Sequence, residues 1–193
     1  MSDALPLFPL KTVLFPGGPL ALRVFEPRYV DMVARCMRGP NRFGVVAIRQ
    51  GEEVGAASMY EVGTTAEIVD WHQEEDGMLG ILAIGRQMFR LGPTSRQPDG
   101  LYTGEIELLP NEPPLALPPE HVPLLALLKR MLGGLPLYRG IEPSFNNAVW
   151  VAARLVEILP LGLASKQSLL EAPDALTRLD RLAADLAKGR SDA

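Results

Sequence analysis

The sequence predicts an α+β protein: a twisted, mostly antiparallel β-rich pseudo-barrel carrying one helix, followed by a C-terminal α-helical bundle. Three observations predict it. Through residues 1–110, short apolar runs alternate with Gly- and Pro-containing turns. At 111–119 a Pro-rich connector, NEPPLALPP, interrupts the pattern. Beyond it the apolar period changes from about two residues to about 3.6, which gives a helical part over 120–188 and leaves 189–193 as a frayed tail.

The elements follow in order. Strands are expected at 5–10 and 20–25, joined by a turn at Phe15-Pro16-Gly17-Gly18-Pro19. Pro6, Pro9, Pro16 and Pro19 each lack a backbone donor, which favours short strands at a sheet edge or barrel rim. Gly17-Gly18 permits a reversal through positive φ. Pro27 has the φ of a first helical position, and Arg38-Gly39-Pro40 is a stop signal. The helix 27–38 is expected to cover one sheet face through Val30, Val33 and Met37. Strands are expected again at 42–49, 60–70 and 78–84, with a turn at 51–53 and a hairpin at 74–77. Gly85 reads as a bulge, 86–91 as a continuing strand and 92–100 as a polar loop. The last strand, 101–109, places Tyr102, Ile106 and Leu108 on one face and Thr103, Glu105 and Glu107 on the other.

In the helical part, 120–132 forms a helix stopped by Gly133-Gly134. Ser144 is expected to cap a second helix, with Phe145, Ala148, Val149, Ala152, Leu155, Val156 and Leu159 on one face. Trp150, Val151 and Ile158 occupy its other face, so burial on several sides is expected. Ser165 is expected to cap a short helix and Asp174 the last one.

The totals exclude several function classes. The net charge of −4 provides no electrostatic basis for non-specific nucleic-acid binding, which needs clustered Lys and Arg. Cys36 is the lone cysteine, mid-helix, and is expected to be a buried small hydrophobe in a reducing compartment. The N-terminal residues lack a basic, long apolar leader, and no run reaches the roughly 18 apolar residues of a spanning helix. A cytoplasmic location, without membrane or nucleic-acid partners, is the expectation.

Ordered motifs then point to a family. LPLFPL and VLFPGGPLALRVFEPRY at the start are followed by FGVV at 43–46, YEVGTTAEI at 60–68, an Asp76–Gly85 glycine-bearing series with Phe89-Arg90, and LYTGEIELL at 101–109. The helical part adds KQSLLE at 166–171 and RLDRL at 178–182. This series resembles the Lon protease N-terminal, substrate-binding domain family. The resemblance implies a six-stranded β-domain beside a helical bundle, and a stand-alone form lacking the ATPase and protease modules. It also implies a non-enzymatic module that binds unfolded or partly folded proteins, with a separate ATP-dependent protease or a second copy as possible partners. Its motif residues Phe15, Pro16, Phe25, Glu26, Arg28, Tyr29, Gly63, Thr64 and Ala66 are expected to be structural.

The chemistry-bearing residues are few. The sequence has no GxxxxGK[ST] loop to cradle phosphates. Its lysines are Lys11, Lys129, Lys166 and Lys188, and only Lys166 has serines beside it, Ser165 and Ser168. Neighbours on a helix do not face one another, so no Ser–Lys dyad and no catalytic residue are expected. Peptidase or hydrolase activity, a role as a regulatory partner of a protease, and RNA binding by a barrel-like domain stay as the alternative readings. Glu26 is expected to cap the helix it precedes, and Arg28 to pair with a carboxylate of the β-domain. His72, beside Asp70, Glu74 and Asp76, reads as a solvated hairpin, and neither a metal nor a cofactor is expected.

Trp71, Trp150, Tyr102, Tyr138 and Phe145 are expected in the core unless they form a contiguous exposed patch. The loop LPLYRGIEPSF at 135–145 is the preferred surface candidate, and a position near the junction of the two parts is expected for it. Leu135, Leu137, Tyr138, Ile141 and Phe145, with Trp150, are therefore the candidate peptide-binding residues.

Overall fold

The computed structural model describes residues 4–53 and 57–191, with the side chains beyond 188 left aside. It comprises six strands, β1 (Leu5–Leu10), β2 (Pro19–Val24), β3 (Arg42–Gly51), β4 (Ala57–Gln73), β5 (Leu79–Arg96) and β6 (Tyr102–Leu108). Five α-helices accompany them: α1 (Pro27–Arg38), α2 (Val122–Leu132), α3 (Ala148–Ile158), α4 (Leu163–Leu170) and α5 (Ala175–Ser191). Contacts divide the chain into two compact units, 1–111 and 112–193. The protein is α+β, with β1–β6 and α1 in the first unit and the other helices in the second.

The sheet order is β2-β5-β4-β3-β1-β6, and a further β5–β6 pairing closes all strands but β2 into a ring. Pairings are antiparallel except β1–β3, which is parallel, with Leu7 opposite Gly44 and Leu10 opposite Ala47. β1 is covered on both faces. Leu5 and Leu7 join Val46 and Phe89 on one side, while Phe8 and Leu10 join Phe43, Val45 and the α1 residues on the other. That two-sided burial explains why β1 is apolar almost without alternation.

Helix α1 lies over the second of these clusters through Tyr29, Met32, Val33 and Cys36. The buried stripe is rotated from the predicted one, leaving Met37 exposed. The cause is Tyr29, whose ring stacks on Phe8 at 3.9 Å between centroids and fixes the phase of the helix.

Two elements run longer than their sequence suggests. β5 continues through Gly92 and Pro93 as far as Arg96 because a register shift between Leu91 and Thr94 leaves the proline without a ladder partner. A second shift, between Thr64 and Ala66 of β4, lies just beyond Gly85. There Thr65 Oγ1 accepts the Gln87 N–H and donates to the Gln87 carbonyl, both at 3.1 Å. Gly85 itself meets the turn before β2: a Cβ there would stand 2.2 Å from the Phe15 carbonyl oxygen. The Gly85 N–H donates to the Gly18 carbonyl at 2.9 Å, and the Gly17 N–H to the Gly85 carbonyl at 2.7 Å.

In β6 Tyr102 and Ile106 share one packed face, as the alternation predicts, but burial departs from it at both ends. Thr103 is buried beside β5, its hydroxyl 2.9 Å from that of Ser95, while Leu108 is exposed at the strand end.

In the helical unit α3 is the central element, with Val151, Ala152, Leu155 and Val156 fully buried. Its cap is Asn147, which accepts the Val149 N–H at 3.0 Å, so Ser144 and Phe145 precede the helix. Gly162 rather than Ser165 precedes α4, and Asp174 accepts the Thr177 N–H at 2.7 Å at the start of α5. The Pro-rich segment from Glu112 belongs to this unit rather than forming a separate connector. Glu112 pairs with buried Arg178, and the backbone of Leu115 and Leu117 bonds with Ala148 and Asn146. α5 remains helical to Ser191, past the point where the sequence predicts fraying.

Candidate functional site

The candidate binding loop closes an open pocket of about 340 Å³ in the helical unit. Gly133 and Gly134 end α2, Pro136–Tyr138 forms a short 3-10 turn, and the chain returns through Ile141 and Pro143 to the Asn147 cap. Leu132, Tyr138, Ile141, Phe145 and Trp150 line the pocket, with Lys129 and Arg139 at its edge. Four of the six predicted residues therefore meet here. Leu135 and Leu137 are not among the lining residues, and Leu137 is 39% exposed.

The aromatic wall is held from both sides. Phe145 meets Trp150 edge to face, with centroids 5.6 Å apart and planes at 86°. The Lys129 ammonium sits 4.7 Å above the Phe145 ring, and the Arg154 guanidinium 5.9 Å from the Trp150 ring. Behind the wall, buried Arg154 pairs with Glu157 at 2.7 Å, and the Tyr138 hydroxyl donates to Glu157 at 3.1 Å. Burial beside this carboxylate pushes the Tyr138 phenol well above its ordinary value, so it stays a donor.

Lys129, Arg139, Arg154 and Glu157 are not among the residues that the sequence assigns to the site. A signal was present: an Arg inside VWVAARLVEI, followed three residues on by Glu, is an i,i+3 pair on an otherwise apolar helix.

A model of the "ATP-dependent protease La (LON) substrate-binding domain" matches residues 4–188. The chain belongs to the Lon substrate-binding domain family. It is similar to the solved Lon N-terminal domain protein from Xanthomonas campestris, at 37% identity and a TM-score of 0.76, over 94% of this chain and 98% of that one. Among curated proteins, cereblon from Danio rerio is 32% identical over 111 residues, 55% of this chain and 26% of that protein. Lon protease from Escherichia coli K12 is 25% identical over 190 residues, 93% of this chain and 24% of that protein. The chain thus spans about a quarter of the length of these curated relatives.

The family motif residues sit in the β unit. Phe15, Tyr29 and Ala66 are buried, and Pro16 is half-buried in the turn before β2. Thr64 donates its hydroxyl to the Leu14 carbonyl at 2.6 Å. A Cβ on Gly63 would stand 2.4 Å from the Val45 carbonyl oxygen, which requires glycine. Glu26 makes no side-chain cap, and the partner of Arg28 is Glu26 itself at 2.8 Å. The reason is local: Arg28 turns inward, where the Gly100 and Glu53 carbonyls accept its other N–H groups at 2.9 and 3.2 Å. Phe25 departs from the rest at 64% exposure, and Trp71, on the β4–β5 hairpin, is 56% exposed rather than in the core.

Elsewhere, Lys166 donates to the Glu157 carbonyl at 2.7 Å. Ser165 and Ser168 instead line a separate groove with Arg181, Asp185 and Lys188. Burial pulls the Lys166 ammonium below its ordinary value, but it does not share that groove with the serines. His72 lies 3.0 Å from Glu74 on the exposed hairpin, and buried His121 lies 2.9 Å from Asp180. Among the described residues no group of three or more His, Cys, Asp or Glu side chains is placed to hold a metal. No helix among them is long and apolar enough to cross a membrane.

Proposed function

We propose that this chain is a protein-binding module that captures exposed apolar segments of unfolded or partly folded proteins without cleaving them. The observation that carries this reading is the open pocket walled by Tyr138, Ile141, Phe145 and Trp150, in a chain of a substrate-binding domain family. The pocket is concave and mainly apolar, and its Tyr138 and Trp150 sides are backed by the Tyr138–Glu157–Arg154 contacts. It accepts an apolar side chain without first having to order itself. Ordering a flexible client costs several kcal/mol, so a single module binds at about micromolar affinity or weaker. Useful retention then comes from several contacts at once, through a partner protease or a second copy.

The test compares a labelled, permanently unfolded model protein with its folded counterpart, alongside a casein degradation assay on the same sample. The expected result is selective binding of the unfolded form, no cleavage, and at least about ten-fold weaker binding by Trp150→Ala, typical of losing a buried aromatic anchor. Thermal melting of the variant separates lost binding from lost folding. Equal binding of both forms, or an unchanged Trp150→Ala variant, overturns the reading. Casein cleavage that survives purification favours a hydrolase.

A further inference from the structure

Resting on that reading of the pocket, we propose that it selects apolar side chains flanked by Asp or Glu within an internal, extended stretch of the client. The lining is mostly apolar, and the two charged residues within it are both cations. Lys129 and Arg139 are both exposed there, and no carboxylate lines the pocket. Among the described residues neither cation forms an ion pair. Two acids lie close by: Glu142, between the lining residues Ile141 and Pro143, is exposed and is not itself a lining residue, and Glu157 is already engaged by Arg154 and by the Tyr138 hydroxyl.

Lys129 is also held in place. Its ammonium rests over the Phe145 ring, which is itself braced edge-on by Trp150. A cation positioned by an aromatic wall loses less side-chain freedom on meeting a carboxylate than one waving in solvent. The two cations come from separate elements, the last turn of α2 and the residue after the 3-10 turn. This suits acidic residues on either side of a buried apolar one, and it opposes basic neighbours by like-charge repulsion.

A free chain end fits less well. The backbone that α2 contributes is its C-terminal end at Gly133, whose partial negative charge opposes any carboxylate held against it. Flanking side-chain carboxylates can meet the long Lys129 and Arg139 side chains at a distance from that backbone, which a main-chain carboxylate beside the buried residue cannot. The preference is local, since the chain as a whole carries a net charge of −4.

The experiment uses fluorescent peptides sharing one Leu-Phe core, with amidated ends, flanked by Glu, Gln or Lys. A fourth peptide carries Gln flanks and a free C-terminal carboxylate. Glu flanks are expected to bind about five-fold tighter than Gln, the order set by two partly exposed ion pairs, with Lys weakest and the spread shrinking in high salt. Lys129→Gln with Arg139→Gln is expected to bring the Glu- and Gln-flanked affinities together, read as the ratio of the two in the same variant. Arg139→Gln alone, which leaves the Lys129–Phe145 contact intact, removes part of it. Equal affinities for the three flanks overturn the charge selection and leave the apolar pocket standing. No binding by any peptide fails the pocket reading and this inference together. A preference that survives in the double variant, or a free carboxylate that outbinds Glu flanks, also overturns it.

Discussion

Arg28 shows how a short motif acts through one side chain. It is 7% exposed, pairs with Glu26, donates to the carbonyls of Gly100 and Glu53, and lies 4.6 Å from the Tyr29 ring centroid. Arg28→Ala strands a carboxylate and two carbonyls, and the expected loss is about 3 kcal/mol, measured by urea unfolding. Its neighbour makes a pH prediction. Burial, opposed by Arg28 and reinforced by Glu26, raises the Tyr29 phenol from 10.0 to about 12. Between those values the unfolded chain releases a proton that the native state keeps. The associated stability is present in full below about pH 10 and is lost as pH rises toward 12. Tyr29→Phe is therefore expected to lose less stability than the parent as pH rises from about 10 toward 12, in paired urea titrations. At this scale the sequence was partly legible. Pro27 and the capping position announce the helix, but whether Glu26 caps it or turns to Arg28 depends on carbonyls brought from residues 53 and 100. The exposure of Phe25 and Trp71 was hidden for the same reason, since an aromatic at a strand end carries no periodic mark.

Among the elements, α3 has the clearest energetic signature. Leu155 is fully buried, and Leu155→Ala is expected to cost about 2–5 kcal/mol, the range for truncating a buried Leu. A thermal shift of only a degree or so would contradict this packing. Helices and hairpins were read well where caps and periods agree. β5 was not, because Gly92-Pro93 is an ordinary stop signal that a register shift allows the strand to pass. The pocket divides the same way. Its aromatic loop stands out as an apolar stretch among turn residues, whereas the pairing of Arg154 with Glu157 behind it depends on a helix phase that only packing sets.

At the level of the whole molecule, the fold class was legible because the change of period near residue 111 is a global feature of the sequence. A pseudo-barrel was expected, but that β5 and β6 close it and that β1 and β3 pair in parallel was not legible. Registers between strands far apart in sequence leave no trace in local alternation. The Pro-rich segment misled in another way: prolines suggest a spacer, yet Glu112, Leu115 and Leu117 are tied to the helical unit. A fragment ending at residue 111 keeps its own clusters of buried residues and is expected to melt cooperatively by circular dichroism. One starting at 120 loses the Glu112–Arg178 pair and is expected to be less stable than one starting at 112.

The pairing of Leu5 with Gly104 also sets a timetable for synthesis. On a ribosome adding about 5–20 residues per second, the first strand waits roughly 5–20 s before its β6 partner has been made. During that interval β3 can pair one edge of the apolar LPLFPL segment, while the edge that β6 will take stays open to other nascent chains. Errors in making this protein are therefore expected to begin at the waiting edge of β1, before the pocket residues have been made.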